Sequence, residues 1–344
     1  ESLFKEILFR THELGVKVRF SPVDAISYEE WVNQQGRSRF ILTLLARKLR
    51  ALHLAKVSKL IADNDLNIDH ITRLSGRADL EHEGADSKAC VEFSLRGEPG
   101  KNFRRDLMAI GSELDVDLAL QADTIFRRNR RLIAFDMDST LVDTEVIDEL
   151  ADHAQVGEQV KDVTRRAMSG ELDFASSLRE RVSLLRGLDE SYLKKVAEEL
   201  PLMEGAEQLF STLNMLGYKT ALLSGGFTYF GEVLKEKLGI DYVFANELEI
   251  SEGKLTGNVK EPIVDAQRKA ELLEKLAIRE NISLEQTIAV GDGANDLAML
   301  GIAGLGIAFH AKPMVKESAK HSISNLGLDS ILYLMGIRDR EKTI

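Results

Sequence analysis

Arg131-Leu-Ile-Ala-Phe-Asp-Met-Asp-Ser-Thr-Leu-Val-Asp-Thr-Glu145 decides how this chain is read. Leu132 to Phe135 is a short apolar run, the pattern of a strand covered on both faces. It ends on two carboxylates, Asp136 and Asp138, followed by Ser139 and Thr140. Charge at the tip of a buried strand costs free energy unless a cation, or a phosphoryl group held with one, compensates it. An active site is expected here.

Downstream, strand-like runs recur at residues 219–223, 287–290 and 305–308. Helical spacing separates them at 206–216, 230–238, 266–276 and 296–302. Strands alternating with helices predict an α/β fold with a parallel, Rossmann-like sheet covered on both faces. Two insertions interrupt it. Residues 145–199 read as purely helical, a cap, and residues 247–259 read as a β-hairpin turning at Ser251-Glu-Gly253.

Upstream, the order is strand (39–47), helix (to Asn64), strand (68–74), a polar loop (81–87), strand (90–95), helix (103–114) and strand (117–121). This βαββαβ order is a ferredoxin-like α+β unit. Residues 4–14 and 26–32 also have helical spacing, to which no function attaches. Phe126-Arg-Arg-Asn-Arg-Arg131, between the two halves, reads as a solvated linker.

In an open parallel sheet, ligands sit at the carboxyl ends of the strands. Three polar motifs follow three buried strands there: Asp136-Met-Asp138, Ser224-Gly-Gly226 and Gly291-Asp-Gly-Ala-Asn-Asp296. Lys269 lies near a helix start between them. These parts suffice for phosphoryl transfer, which needs a nucleophile, an in-line leaving group and positive charge around the equatorial oxygens. Asp136 is the candidate nucleophile, forming an aspartyl phosphate. Asp138 is the candidate general acid and base. Asp136, Asp138 and Asp292 form the candidate Mg2+ set, all oxygen ligands. Ser224 and the Gly225 N–H are placed to bind phosphate oxygens, with Lys269 adding positive charge. Each motif alone has a plainer reading: a helix N-cap, a turn, a solvated lysine, a loop or a fragment of a calcium site. Their convergence on one sheet edge outweighs those readings.

These residues resemble the haloacid dehalogenase superfamily of aspartate-nucleophile phosphotransferases. Asp136-Met-Asp-Ser-Thr140 matches its first motif, Ser224 its second, Lys269 its third and Gly291 to Asp296 its fourth. Over residues 131–330 the resemblance narrows to the phosphoserine phosphatase family, through Glu145, Met168 to Arg186, Leu223-Ser-Gly-Gly-Phe227 and Phe244-Ala-Asn246. It implies hydrolysis of O-phospho-L-serine to L-serine, the last step of serine biosynthesis. It further implies that Glu145 meets the substrate ammonium and Arg181 its carboxylate. Met168 and Phe174 would wall an apolar lid, Asn295 would sit near the phosphate, and Asp296 would support the metal site. On spacing alone, Glu145 and Arg181 read as exposed helix charges, and Met168 and Phe174 as core. Residues 38–123 resemble an ACT domain in element order. The turn after their first strand, Ala46-Arg-Lys-Leu-Arg-Ala-Leu-His53, lacks the glycine of many amino-acid-binding ACT domains, which favours packing or dimerisation.

Composition sets the remaining bounds. The 344 residues divide into an N-terminal ACT-like domain (1–125) and a phosphatase domain (126–344) with its cap at about 145–200. A net charge of −11 argues against nucleic acid as a partner. No apolar run approaches the roughly 20 residues that span a bilayer, and the chain opens Glu1-Ser-Leu-Phe-Lys5 without a signal segment. The single cysteine, Cys90, excludes an internal disulfide and favours the cytoplasm. A homodimer through the N-terminal domain is an expected assembly. The competing readings are a related phosphatase acting on another small phosphomonoester, and an idle amino-acid sensor.

Overall fold

The computed structural model describes residues 2–15, 36, 38–76 and 88–341. The helical spacing at 26–32 and the polar stretch 81–87 lie outside them. After a first helix, α1 (Ser2–Glu13), come β1 (Arg39–Ala46), α2 (Ala51–Asp63), β2 (Asn67–Arg73), β3 (Ala89–Arg96), α3 (Phe103–Leu114) and β4 (Asp117–Ala122). The four strands form an antiparallel sheet in the order β2-β3-β1-β4. Leu42 and Leu44 of β1 meet Val57, Ile61, Phe93 and Phe103 in one core. Leu45, Cys90 and Ala119 on the opposite face join the core of the second half. That double burial is why β1 reads as a continuous apolar run instead of alternating.

The second sheet has β5 (Leu132–Phe135) at its centre. Its other strands are β6 (Lys219–Phe227), β7 (Tyr242–Ser251), β8 (Lys254–Lys260), β9 (Thr287–Gly291), β10 (Leu305–Phe309) and β11 (His321–Ile323). The order is β11-β10-β9-β5-β6-β7-β8, parallel throughout except for β8. From β5 the chain winds first to β6 and then back to β9 on the other side, so the switch point lies at the tip of β5. Ile133 and Phe135 point into one apolar layer, and Leu132 and Ala134 into the other. The expected insertions are present. Four helices, α4 (Val146–His153), α5 (Gly157–Met168), α6 (Phe174–Leu184) and α7 (Ser191–Glu199), form the cap. The β7–β8 hairpin supports it: Leu255 N donates to Leu188 O at 2.9 Å and Gly187 N to Leu255 O at 2.8 Å. The three-residue β11 and the parallel first half of β7 were not expected from sequence. No helix among the described residues is long and apolar enough to cross a membrane.

The two sheets meet along a seam. Arg47 forks onto Glu204 at 2.7 and 2.5 Å, Lys88 pairs with Asp329 at 2.5 Å, and Asp117 accepts from Ser324 N and Asn325 N, both at 2.9 Å. His321 of β11 bonds the Leu120 carbonyl of β4 at 3.0 Å. Arg127 and Arg130 enter this seam, which corrects the reading of a solvated linker for those two, while Arg128 and Arg131 stay exposed. Arg127 and Arg130 are 4% and 6% exposed. Arg127 pairs with Glu92, and Arg130 donates to the carbonyls of Glu285 and Thr287. Packed structure on both sides supplies acceptors that composition does not reveal.

Candidate active site

The ladder between β5 and β9 runs one residue past the strand, with Asp136 N donating to Val290 O at 2.9 Å. This fixes Asp136 at the switch point, 4% exposed. Its Oδ1 accepts from Met137 N at 2.7 Å and meets Lys269 Nζ at 2.9 Å. Lys269 projects from the first turn of α8 (Ala266–Arg279), which Asp265 caps by accepting from Arg268 N at 2.8 Å. Lys269 is completely buried and also donates to Asp296 Oδ1 at 2.7 Å. Asp296 Oδ2 in turn accepts from Gly293 N at 3.0 Å. A side chain at Gly291 would strike the Asp296 carboxylate at 2.4 Å, so the glycine lets this acid approach the strand tip.

Electrostatics follow from this packing. Burial alone would lower the Lys269 pKa, but Asp136 and Asp296 outweigh it and hold the ammonium firmly charged. Burial, then the Asp136 charge, pushes Asp296 up to about 7. The same two causes raise Asp292 to about 6, although Thr140 Oγ1 donates to it at 3.3 Å. Asp138 is raised well above the ordinary range by burial, then by Glu145 and Asp136. Its Oδ1 accepts from Val146 N at 2.9 Å. A side chain at Gly226 would lie 2.6 Å from Asp138 Oδ2 and 3.1 Å from Ser224 Oγ. Ser224, fully buried, accepts from Gly226 N at 2.9 Å.

The ligand atoms of Asp136, Asp292 and Asp296 lie within 4.8 Å of one another. Three crowded carboxylates with one ammonium call for a further cation, and their hard oxygens suit a small divalent one. Asp138 is not one of the three residues of this cluster.

A cavity of about 920 Å³ separates the sheet edge from the cap. The edge contributes Asp136, Asp138, Gly225, Asp292 and Asn295 to its wall, and the cap Glu145, Met168, Phe174 and Arg181. Ser224, Lys269 and Asp296 stand behind that wall. Glu145 accepts from Ser139 Oγ at 3.0 Å, and Arg181 Nε donates to Ser177 O at 3.4 Å. Met168 is 68% exposed, and the Phe174 ring lies where a Gly225 side chain would fall, 2.7 Å away. Neither is sealed core, and Arg181 is half-buried in the cavity wall instead of pointing to open solvent.

Sequence reading missed two supporting residues. Asn246 donates to Gly225 O at 2.8 Å while its Oδ1 accepts from Val264 N at 2.8 Å, which fixes the Ser224–Gly226 turn. Thr140 orients Asp292. A buried amide closing a strand, in Phe244-Ala-Asn246, was the available signal for the first.

An aspartate at the tip of a central parallel strand, backed by a buried lysine and faced by a helical cap, is the arrangement of a class of phosphoryl-transfer hydrolases. Residues 130–304 match the haloacid dehalogenase-like hydrolase profile, and the chain belongs to that family. Its relatives are more specific. It is 43% identical to the phosphoserine phosphatase of Streptomyces coelicolor, over 89% of this chain and 73% of that one. It is 38% identical to the phosphoserine phosphatase of Saccharomyces cerevisiae, over 88% of this chain and 98% of that one. The unliganded crystal structure of a probable phosphoserine phosphatase from Vibrio cholerae is similar with a TM-score of 0.69 at 37% identity, covering 88% of this chain and 87% of that one.

Proposed function

We infer that this protein is a phosphoserine phosphatase, a phosphoric monoester hydrolase that converts O-phospho-L-serine to L-serine and phosphate. The observation that carries the reading is the composition of the cavity: two aspartates on the sheet edge suited to nucleophile and acid, with Glu145, Asp148 and the Arg181 guanidinium on the cap facing them. A zwitterionic amino-acid phosphate needs that set.

The chemistry assigned to these residues balances. An Asp136 carboxylate oxygen bonds to phosphorus as the bond from phosphorus to the serine oxygen breaks. Asp136 Oδ1 receives Met137 N and Lys269 Nζ, which leaves Oδ2 for the phosphorus or a metal. Asp138 enters as the carboxylic acid, a state its raised pKa favours, and gives its proton to the leaving oxygen. It then takes a proton from water, which attacks the aspartyl phosphate and releases phosphate. Ser224, the Gly225 N–H and Asn295 bind phosphate oxygens, and Lys269 holds the nucleophile charged. Glu145 meets the ammonium, Arg181 the carboxylate with its planar fork, and Met168 and Phe174 exclude water. Mg2+ is the metal assigned, held by Asp136 and Asp292 with Asp296 behind them; when bound it offsets the charge of phosphate against carboxylate.

We assign residues 126–344 to the phosphatase, with the cap at 145–200, and residues 1–125 to an ACT-like packing module. The edge strand β2 of that module is the place for a second copy to pair. A cytoplasmic location accords with the single cysteine.

The test is phosphate release from O-phospho-L-serine with and without Mg2+, beside Asp136→Asn. Metal-dependent release is expected, falling by at least about 10⁴-fold in the variant. A folded Asp136→Asn protein that keeps its rate removes the nucleophile assigned here.

A further inference from the structure

The loop that joins the strand-tip aspartates to the cap holds a serine in a backbone conformation that serine seldom adopts. Ser139 has φ +54°, in the left-handed region that glycine enters freely. Its N–H donates to Thr144 O at 3.2 Å, which closes the loop and brings residue 139 beside residue 145. Glycine would make this turn without strain. What serine adds is a hydroxyl, and that hydroxyl donates to Glu145 Oε1 at 3.0 Å. Strained residues persist where a site needs the geometry they give, and here they give this bond.

Without the bond, Glu145 has a competing partner at hand. Ser139, Glu145 and Arg181 all line the catalytic cavity. Arg181 lies in the field of Glu145, yet no salt bridge joins them among the described residues. A glutamate side chain is long and flexible, and a carboxylate free to turn beside a guanidinium pairs with it. Such a pair would leave neither group for a ligand. The Ser139 bond occupies Oε1 and leaves Oε2 without a partner among the described residues.

We propose that Ser139 is a positioning residue for substrate recognition: its hydroxyl holds Glu145 apart from Arg181, so that Glu145 meets a substrate ammonium while the guanidinium stays free for a carboxylate. The proposal rests on the amino-acid phosphate reading given above. It gives Ser139 no contact with phosphorus and no proton in the reaction. Preorganising one flexible side chain is worth about 3- to 10-fold in binding.

Steady-state kinetics of the full chain with phosphoserine and with ethyl phosphate, which is phosphoserine without its ammonium and carboxylate, test it. Ser139→Ala and Ser139→Gly both remove the hydroxyl, and the glycine also relieves the strain. Each is expected to lower the ratio of kcat/KM for phosphoserine over that for ethyl phosphate by about 3- to 10-fold, through a higher KM for phosphoserine. In a Glu145→Ala background the same substitutions should move that ratio by less than about twofold, because nothing is left to hold. A ratio that neither variant changes would overturn the proposal. So would a ratio lost in Ser139→Ala and kept in Ser139→Gly, which makes the backbone the whole effect, or an equal fall with and without Glu145. A parent enzyme that does not prefer phosphoserine to ethyl phosphate would remove the substrate reading, and the proposal with it, before any variant is compared.

Discussion

The two walls of the catalytic cavity hold charge in opposite ways. On the sheet edge, Lys269 is completely buried between Asp136 and Asp296 at 2.9 and 2.7 Å. On the cap, Arg181 makes no salt bridge among the described residues; it lies in the field of Glu145 and Asp148 without touching them, and its Nε donates at 3.4 Å to a carbonyl of its own helix. Buried charge is tolerated on the edge because other charges complete it. The cap's charges are left incomplete, which suits groups that a zwitterionic ligand will pair. The edge has its own internal ion pairs and asks only for a cation, whereas the cap is open to a ligand; the proposed division of chemistry and recognition follows that difference.

The largest effect that can break this contrast is at Lys269. Lys269→Met removes the ammonium and leaves two buried carboxylates facing each other. Breaking a buried pair in this way costs about 3–5 kcal/mol. Urea denaturation should therefore show a large fall in midpoint, with part of it recovered on adding Mg2+. An unchanged midpoint would mean that the edge is not held together by its charges.

A smaller effect comes from His321 in the seam, where a titratable group is buried without any charge to complete it. Burial drives its pKa down from 6.5 to about 4, against the pull of the Leu120 and Gly306 carbonyls. Below pH 6.5 the unfolded chain takes up a proton that the folded one refuses. The stability His321 contributes is thus complete above about pH 6.5 and is lost as pH falls toward 4, with little further loss below. The full difference is about 3 kcal/mol. Unfolding measured from pH 7 to 4 should fall more steeply for the parent than for His321→Gln, and equal slopes would show that the imidazole charges freely in place.

How far these regions were legible in the sequence follows the same division. Asp136, Asp138 and the glycine-rich turns announced the edge, because carboxylates and glycines directly after apolar strands have few other uses. Lys269 was legible as a nearby positive charge but not as a buried one, since one lysine on a helix looks solvated until the fold buries it. The seam was not legible. Arg127 and Arg130 looked like linker, and Gln121 like any strand polar residue, because their partners at Glu92, Glu285 and Leu334 are remote in sequence. Periodicity reports that a face is covered and is silent on what covers it. The brevity of β11 hid it for a related reason: three residues do not establish a period.

The cap provides the smallest and most selective effect. If Arg181 is left incomplete for a substrate carboxylate, its removal should matter only for substrates that have one. Phosphoethanolamine is phosphoserine without the carboxylate, so it reports the cap with that contact deleted from the ligand. The parent should prefer phosphoserine. Arg181→Ala should reduce that preference by about 10- to 100-fold, chiefly through a higher KM for phosphoserine, with phosphoethanolamine turnover little changed. The edge is untouched by the substitution, so kcat should largely survive. A variant that keeps its preference would remove Arg181 from recognition, and one that loses both substrates equally would place it in the finished wall with Lys269.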